Sequence, residues 1–233
     1  MQKKKSCSIF SKLIAVSMAA CLWAVGSINA TAADFVFDLE PDVGQAMAAV
    51  QVTVHQQDAN TLRFTVDQTD PVYFGDLRGL FFHVNESIID PADLTFSFVA
   101  AVENVTNNAI APSINSTYGL NSITMAGSNN NNINPIPALD IGLEFGSQGL
   151  GGDDIKSITF DIFKAGGLDQ MTFMPIHMEH FMAARVMSLW DGNSRDGSSK
   201  LTCCGTEVAE PSSSMGLLAF AIGGLLWRRR VSA

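Results

Sequence analysis

Apolar and polar side chains alternate with a period of two through most of the stretch from Asp34 to Thr202. The alternating runs begin at Phe35, Val50, Leu62, Leu80, Leu94, Ile141 and Ile158. Successive side chains of a β-strand point to opposite faces, so this period places one apolar set on one face of each strand. No long helical period follows residue 33, and the chain is therefore predicted to be all-β.

Turn-forming residues separate these runs, as in Asp58–Asn60, Asp70–Pro71 and Gly166–Gly167. About eight to ten short strands spaced by such turns are typical of a β-sandwich or a jelly roll. We therefore predict a single sandwich domain over residues 33–204. Within it, Gly119–Pro137 is predicted to be a long polar loop. Met171–Trp190 is predicted to be a turn followed by a strand from about His180 to Leu189.

The N-terminus has the layout of a secretory signal peptide. Four lysines lie within the first twelve residues, an apolar run extends from Leu13 to Gly26, and the small residues Ala30 and Ala32 follow. These are the three parts of a signal peptide, and the two small residues stand at positions −3 and −1 relative to the cleaved bond. We predict residues 1–32 as the signal peptide, cleaved after Ala32. An uncleaved membrane anchor is the alternative.

The C-terminal segment 205–233 contains a second apolar run. Residues 215–227 carry no charge, and Arg228, Arg229 and Arg230 follow directly. Thirteen residues make a helix of about 20 Å, shorter than the roughly 30 Å hydrocarbon core of a bilayer. Basic residues stay on the cytoplasmic side, so the preceding domain is predicted to be exported. Such a short segment favours a temporary hold in the membrane.

Glu210-Pro211, the apolar run and Arg228–Arg230 together resemble the PEP-CTERM sorting signal. In that family the motif is usually Pro-Glu-Pro, and Ala209 stands here in place of the first proline. The resemblance implies processing by exosortase in a Gram-negative bacterium or a cyanobacterium, and a final location at the cell surface or in an exopolysaccharide matrix. Leu77–Val84, Asp153–Ile162 and Ala184–Leu201 are more weakly similar to β-rich PEP-CTERM proteins of unknown function.

Charge is distributed unevenly along the chain. Seven of the 14 basic residues lie in the two terminal segments, whereas all 23 acidic residues lie between Asp34 and Glu210. The middle of the chain therefore has seven basic and 23 acidic residues, a net charge of −16. Such an excess argues against nucleic acid as a partner, because phosphate repels it.

Two cysteines, Cys203 and Cys204, remain after signal-peptide removal. An exported chain meets an oxidising compartment. A disulfide between these neighbours would be strained, because their Cα atoms are closer than an ordinary bridge prefers. A bridge between two chains, a soft-metal site and no chemical role at all are the alternatives.

No motif in the sequence identifies a metal or catalytic site. His177 and His180 are three residues apart and match neither HExxH nor HxxEH, although nearby methionines would suit Cu(I). Asp191–Gly197 departs from the EF-hand loop, because Arg195 and Asp196 occupy ligand and glycine positions. Asp153–Asp154 is predicted to be a solvated turn, compatible at most with weak calcium binding. We find neither GxSxG nor a phosphate-binding glycine loop.

These observations favour a non-enzymatic surface or matrix protein without a cofactor, with an adhesive, structural or carbohydrate-binding role. Its expected partners are exosortase, the membrane through the tail and polysaccharide. A secreted hydrolase acting on matrix polysaccharide and a metal-binding periplasmic protein are the alternatives. A carboxylate pair in a cleft would favour the hydrolase.

Overall fold

The structure is a computed structural model that describes residues 34–42, 48–104, 106–127, 131–146, 154–170, 179–190, 194–195 and 197–204. The predicted signal peptide with Ala30 and Ala32 lies outside these residues. So does the predicted sorting tail with Glu210, Pro211 and Arg228–Arg230. No helix long and apolar enough to cross a membrane occurs within the described ranges.

The described chain is built almost entirely of antiparallel strands, with one short 3-10 helix at Pro91–Asp93. In chain order the strands are β1 (Phe35–Pro41), β2 (Val50–Asp58), β3 (Thr61–Gln68), β4 (Phe74–Phe82), β5 (Thr95–Glu103), β6 (Ala109–Ile110), β7 (Ile114–Ile123), β8 (Leu139–Phe145), β9 (Ile155–Phe163), β10 (Glu179–Trp190) and β11 (Gly197–Cys204). The predicted all-β class is confirmed.

The strands form one large curled sheet in the order β6-β5-β9-β3-β2-β1-β11-β10-β4-β8-β7. Strand β1 joins its two halves. Residues 35–39 pair with β2, whereas Glu40 and Pro41 pair with Thr202 and Leu201 of β11. We call β6-β5-β9-β3-β2-β1 the first half and β11-β10-β4-β8-β7 the second half.

Aromatic rings from the two halves meet across the main core. Phe64 of the first half stacks on Phe82 of the second, with ring centroids 5.8 Å apart. Phe37 and Phe181 make an edge-to-face contact at 5.1 Å. Such pairs add about 0.5–1.5 kcal/mol each beyond the burial of their area. The apolar residues at these positions of β1, β3, β4 and β10 therefore face the opposite half.

The alternating runs predicted the positions of seven strands correctly. All seven lie on or directly beside β1, β2, β3, β4, β5, β8 and β9, and the strand predicted from about His180 to Leu189 is β10. Strands β6, β7 and β11 were not predicted. β7 has the sequence INSTYGLNSI, and most of its side chains are exposed because it forms one edge of the sheet.

The prediction of a long polar loop at Gly119–Pro137 was wrong in part. β7 continues to Ile123, and Met125 bridges to Asn132. Residues 124–138, described except for 128–130, form what we call the covering segment. Ala126, Ile133 and Ile136 of this segment are buried in a second cluster on the outer face of the second half, whereas Met125 is exposed. That cluster comprises Phe81, Ile123, Ala126, Ile133, Ile136, Leu139 and Ala183.

Candidate functional site

A cleft of about 340 Å³ opens where the end of β3 meets the start of β4 and of β9. Most of its lining is polar, supplied by the β3–β4 turn, the turn after β5 and the start of β9. The lining residues are Gln68, Thr69, Asp70, Pro71, Phe74, Asn104, Asn107 and Lys156.

Gln68 fixes the floor of the cleft. Its Nε2 donates to the carbonyl oxygens of Gly75 at 2.8 Å and Ile155 at 2.7 Å, and its Oε1 accepts from the Gly75 N–H at 2.8 Å. The side chain is buried, so these three bonds are made away from water, where polar main-chain groups need hydrogen-bond partners. Gln68 thereby ties β3 to the first residues of β4 and β9.

Two asparagines form one wall. Asn104 is held by two bonds, from its Nδ2 to the Gly75 carbonyl at 2.6 Å and from its N–H to the Asp154 carbonyl at 2.7 Å. Asn107 has a left-handed backbone, with φ of 55°, and its Oδ1 accepts from Lys156 Nζ at 3.2 Å. Asparagine tolerates this conformation better than most residues. The turn therefore presents an amide and an ammonium group at the mouth of the cleft.

The opposite wall is a turn closed by Asp70. Its Oδ1 accepts from the main-chain N–H groups of Val72 at 2.7 Å and Tyr73 at 2.8 Å. This is the local bond by which aspartate initiates turns. Asp70 is the only carboxylate among the cleft-lining residues that the structure describes, and its Oδ1 is engaged in the turn. The carboxylate pair that a hydrolase would need is not among them.

The arrangement suits a neutral, hydroxyl-rich ligand. Amide groups both donate and accept hydrogen bonds, as sugar hydroxyls do. Lys156 and Asp70 balance each other in formal charge, so the lining has no net charge. Phe74 is partly exposed and offers an apolar surface beside the amides. Small-molecule sites are usually lined mainly by apolar side chains, and this cleft differs from them in its mostly polar lining.

The predicted metal-binding candidates are only partly described. His180 lies in β10, where its Nδ1 is 3.2 Å from Thr202 Oγ1. His177, Asp153 and Asp191–Asn193 lie outside the described residues. Within the described ranges no group of three or more His, Cys, Asp or Glu side chains is close enough to hold a metal ion.

Asp154 corrects the prediction of a solvated turn at Asp153–Asp154. It is only 5% exposed, and its Oδ2 accepts from Arg195 Nη2. Arg195, which breaks the EF-hand pattern, is therefore an ion-pair partner. The possible disulfide between Cys203 and Cys204 is untested, because Cys203 is buried but the side chain of Cys204 lies outside the description.

The sequence analysis did not identify the cleft. Its residues come from three separate stretches between Gln68 and Lys156, and no short motif unites them. Asp70-Pro71 was recognised only as a turn, and Asn104 and Asn107 gave no distinctive signal. Comparison with known proteins gives no match to a family model, a curated protein or a solved structure.

Proposed function

We propose that this chain is an exported cell-surface or matrix protein that binds neutral saccharides in the cleft between β3, β4 and β9. The observation that supports saccharide binding best is the pair Asn107 and Lys156 at the mouth of a cleft whose floor Gln68 and Asn104 hold rigid through hydrogen bonds to main-chain groups. Fixed donors and acceptors lower the ordering cost of binding. Export and sorting rest on the two terminal segments of the sequence.

We also propose that the two halves form a β-sandwich joined along one edge through β1 and β11. The support is the set of aromatic contacts across the main core, such as Phe145 with Phe160 at 5.8 Å. The jelly-roll connectivity stays a prediction. In this arrangement the cleft lies where strands of the two halves come together, because β4 belongs to the second half and β3 and β9 to the first.

Saccharide binding is tested by calorimetry with a panel of neutral oligosaccharides and the full chain in detergent. Lys156→Ala and Asn107→Gly, the latter because glycine tolerates the positive φ of this position, should each weaken binding about three- to tenfold, the range expected for one hydrogen bond. Lys164→Ala removes the same charge outside the cleft and should leave binding unchanged. Equal effects of Lys156→Ala and Lys164→Ala, or no binding to any oligosaccharide, would contradict the proposal.

Sorting is tested by mapping the ends of the protein recovered from matrix and membrane fractions of its native host by mass spectrometry. A matrix form that begins at Ala33 or Asp34 and ends near Pro211 is expected if exosortase acts at the tail. A form that retains residues 215–230 and occurs only in the inner membrane would show that Ala209 has abolished processing.

A further inference from the structure

The outer face of the second half carries a buried cluster of charged side chains beside the covering segment. Arg78 of β4 is 2% exposed, and its guanidinium lies 3.6 Å from Asp76 Oδ2 and 3.3 Å from Glu144 Oε1. Both carboxylates are themselves buried. Arg78 thus lies between two buried acids, and these three side chains together carry a formal charge of −1.

Arg185 of β10 adds a further positive charge to the same face. In the sheet register, its cross-strand neighbours are Gly79 of β4 on one side and Lys200 of β11 on the other. It is 7% exposed, and its Nε and Nη1 are buried without a hydrogen-bond partner among the described residues. An arginine cannot relieve this burial by losing its proton at any ordinary pH. A buried cation of this kind is strongly unfavourable unless an anion accompanies it.

Lys200 reinforces the positive charge at this place. Burial and the neighbouring charge of Arg185 lower the pKa of Lys200, and Asp42 opposes this. The Lys200 ammonium also contacts the carbonyl oxygen of Asn134, in the covering segment. Two cationic groups that repel each other are therefore held side by side by the β10–β11 pairing and by the segment above them.

Asn131 supplies an acceptor beside the two cations. A Cβ added at Gly79 would lie 2.7 Å from either end of the Asn131 amide, so this amide occupies the place of the missing side chain. Gly79 is the direct partner of Arg185, and such partners lie about 5 Å apart. Asn131 Nδ2 donates to the Arg78 carbonyl at 3.2 Å, whereas its buried Oδ1 accepts no hydrogen bond from the described residues.

We propose that Arg185, Lys200 and Asn131 form a binding site for a single carboxylate on a saccharide, of the uronic acid class. Guanidinium and ammonium groups would hold the carboxylate, and Asn131 Oδ1 would accept from a neighbouring hydroxyl. The net charge of −16 on the exported part repels a densely charged polyanion, so an isolated carboxylate in a largely neutral glycan fits best. This inference rests on the proposed saccharide-binding function and adds a second site to it.

The test measures glucuronate binding to the full chain in detergent by calorimetry, with sodium chloride replacing glucuronate at equal ionic strength in the reference. Glucose and acetate are the matched probes that lack the carboxylate and the ring respectively. Glucuronate should bind more tightly than either.

Arg185→Gln should weaken glucuronate binding at least about tenfold, and Lys200→Gln, at a more exposed position, by a smaller factor. Arg63→Gln, whose arginine is already paired with Asp161, should leave it unchanged.

Thermal unfolding of the same variants shows whether Arg185 serves only the fold. Without glucuronate, Arg185→Gln should not lower the midpoint, because it removes an unpaired buried charge. The proposal is overturned if the unmodified chain does not bind glucuronate, or if it binds glucuronate and chloride equally. A lower midpoint of Arg185→Gln would then show that Arg185 serves the fold. If neutral oligosaccharides still bind in that case, the cleft function stands and only the carboxylate site fails. If no saccharide binds at all, the proposed function fails first.

Discussion

Truncation of Phe81 tests the layer that the covering segment adds to the second half. Phe81 is fully buried between Ile123 and Ala126 and their neighbours, on the face of β4 opposite the main core. Burying a phenylalanine contributes about 2–3 kcal/mol, and the cavity left by Phe81→Ala adds to that loss. The covering segment is mainly irregular and can partly collapse into the cavity. We therefore expect a loss of about 3 kcal/mol, the low end of the range for such substitutions.

The loss is measured by urea unfolding of the full chain in detergent, and it corresponds to a fall in the thermal midpoint of about 6–12 °C for a domain of this size. Phe163→Ala is the matched control, since Phe163 also lies on a strand but is 43% exposed. It should cost about 1 kcal/mol or less. If Phe81→Ala costs no more than Phe163→Ala, the second apolar cluster does not stabilise the protein, and the assignment of a covering segment is refuted.

Three further substitutions probe packing, buried polar groups and a surface ion pair. Gly142→Ala should lower the free energy of unfolding by about 1–3 kcal/mol, because the new Cβ would lie 2.9 Å from three side-chain atoms; no change in the urea midpoint would contradict this packing. Gln68→Leu removes three hydrogen bonds to buried main-chain groups and should cost at least about 2 kcal/mol, whereas Gln51→Leu removes only an exposed bond and should cost about 0.5 kcal/mol or less; equal urea midpoints for the two would refute the role of Gln68. A double-mutant cycle on Arg63→Ala and Asp161→Ala should give a coupling of about 0.2–1 kcal/mol that falls with salt, since the pair is part-exposed; a coupling of zero at low salt would mean that the pair contributes nothing.

Period-two alternation predicted strands well wherever one face of the sheet is buried and the other is not. It predicted β1, β2 and β3, whose burial alternates residue by residue. It also located β4 and β8, but it did not show that these two strands are buried on both faces. There the structure buries the polar residues Arg78 and Glu144. Nothing in the local sequence shows that a distant segment covers them.

The covering segment was missed for a related physical reason. Its asparagine run and prolines indicate a loop, which is correct locally, but Ile133 and Ile136 are spaced by polar residues and show no strand or helix period. Isolated apolar residues in a polar stretch do not reveal whether they are buried. The pairing of Arg185 with Gly79 and Lys200 depends on sheet register, which propensity does not determine. The carboxylate site could therefore be inferred only from the assembled sheet.

The residues of the cleft are of two kinds. Substitution of a floor residue changes the stability of the fold, whereas substitution of a rim residue can change ligand binding alone. Gln68 and Asn104 share the Gly75 carbonyl as an acceptor, so replacing either one disturbs the start of β4 before it affects a ligand. Asn107 and Lys156, in contrast, bond to each other at an exposed rim, where substitutions normally change stability by about 0.5 kcal/mol or less. A loss of binding in rim variants with an unchanged unfolding midpoint is therefore evidence of a ligand contact. The same loss in a Gln68 variant would report only that the floor of the cleft has collapsed.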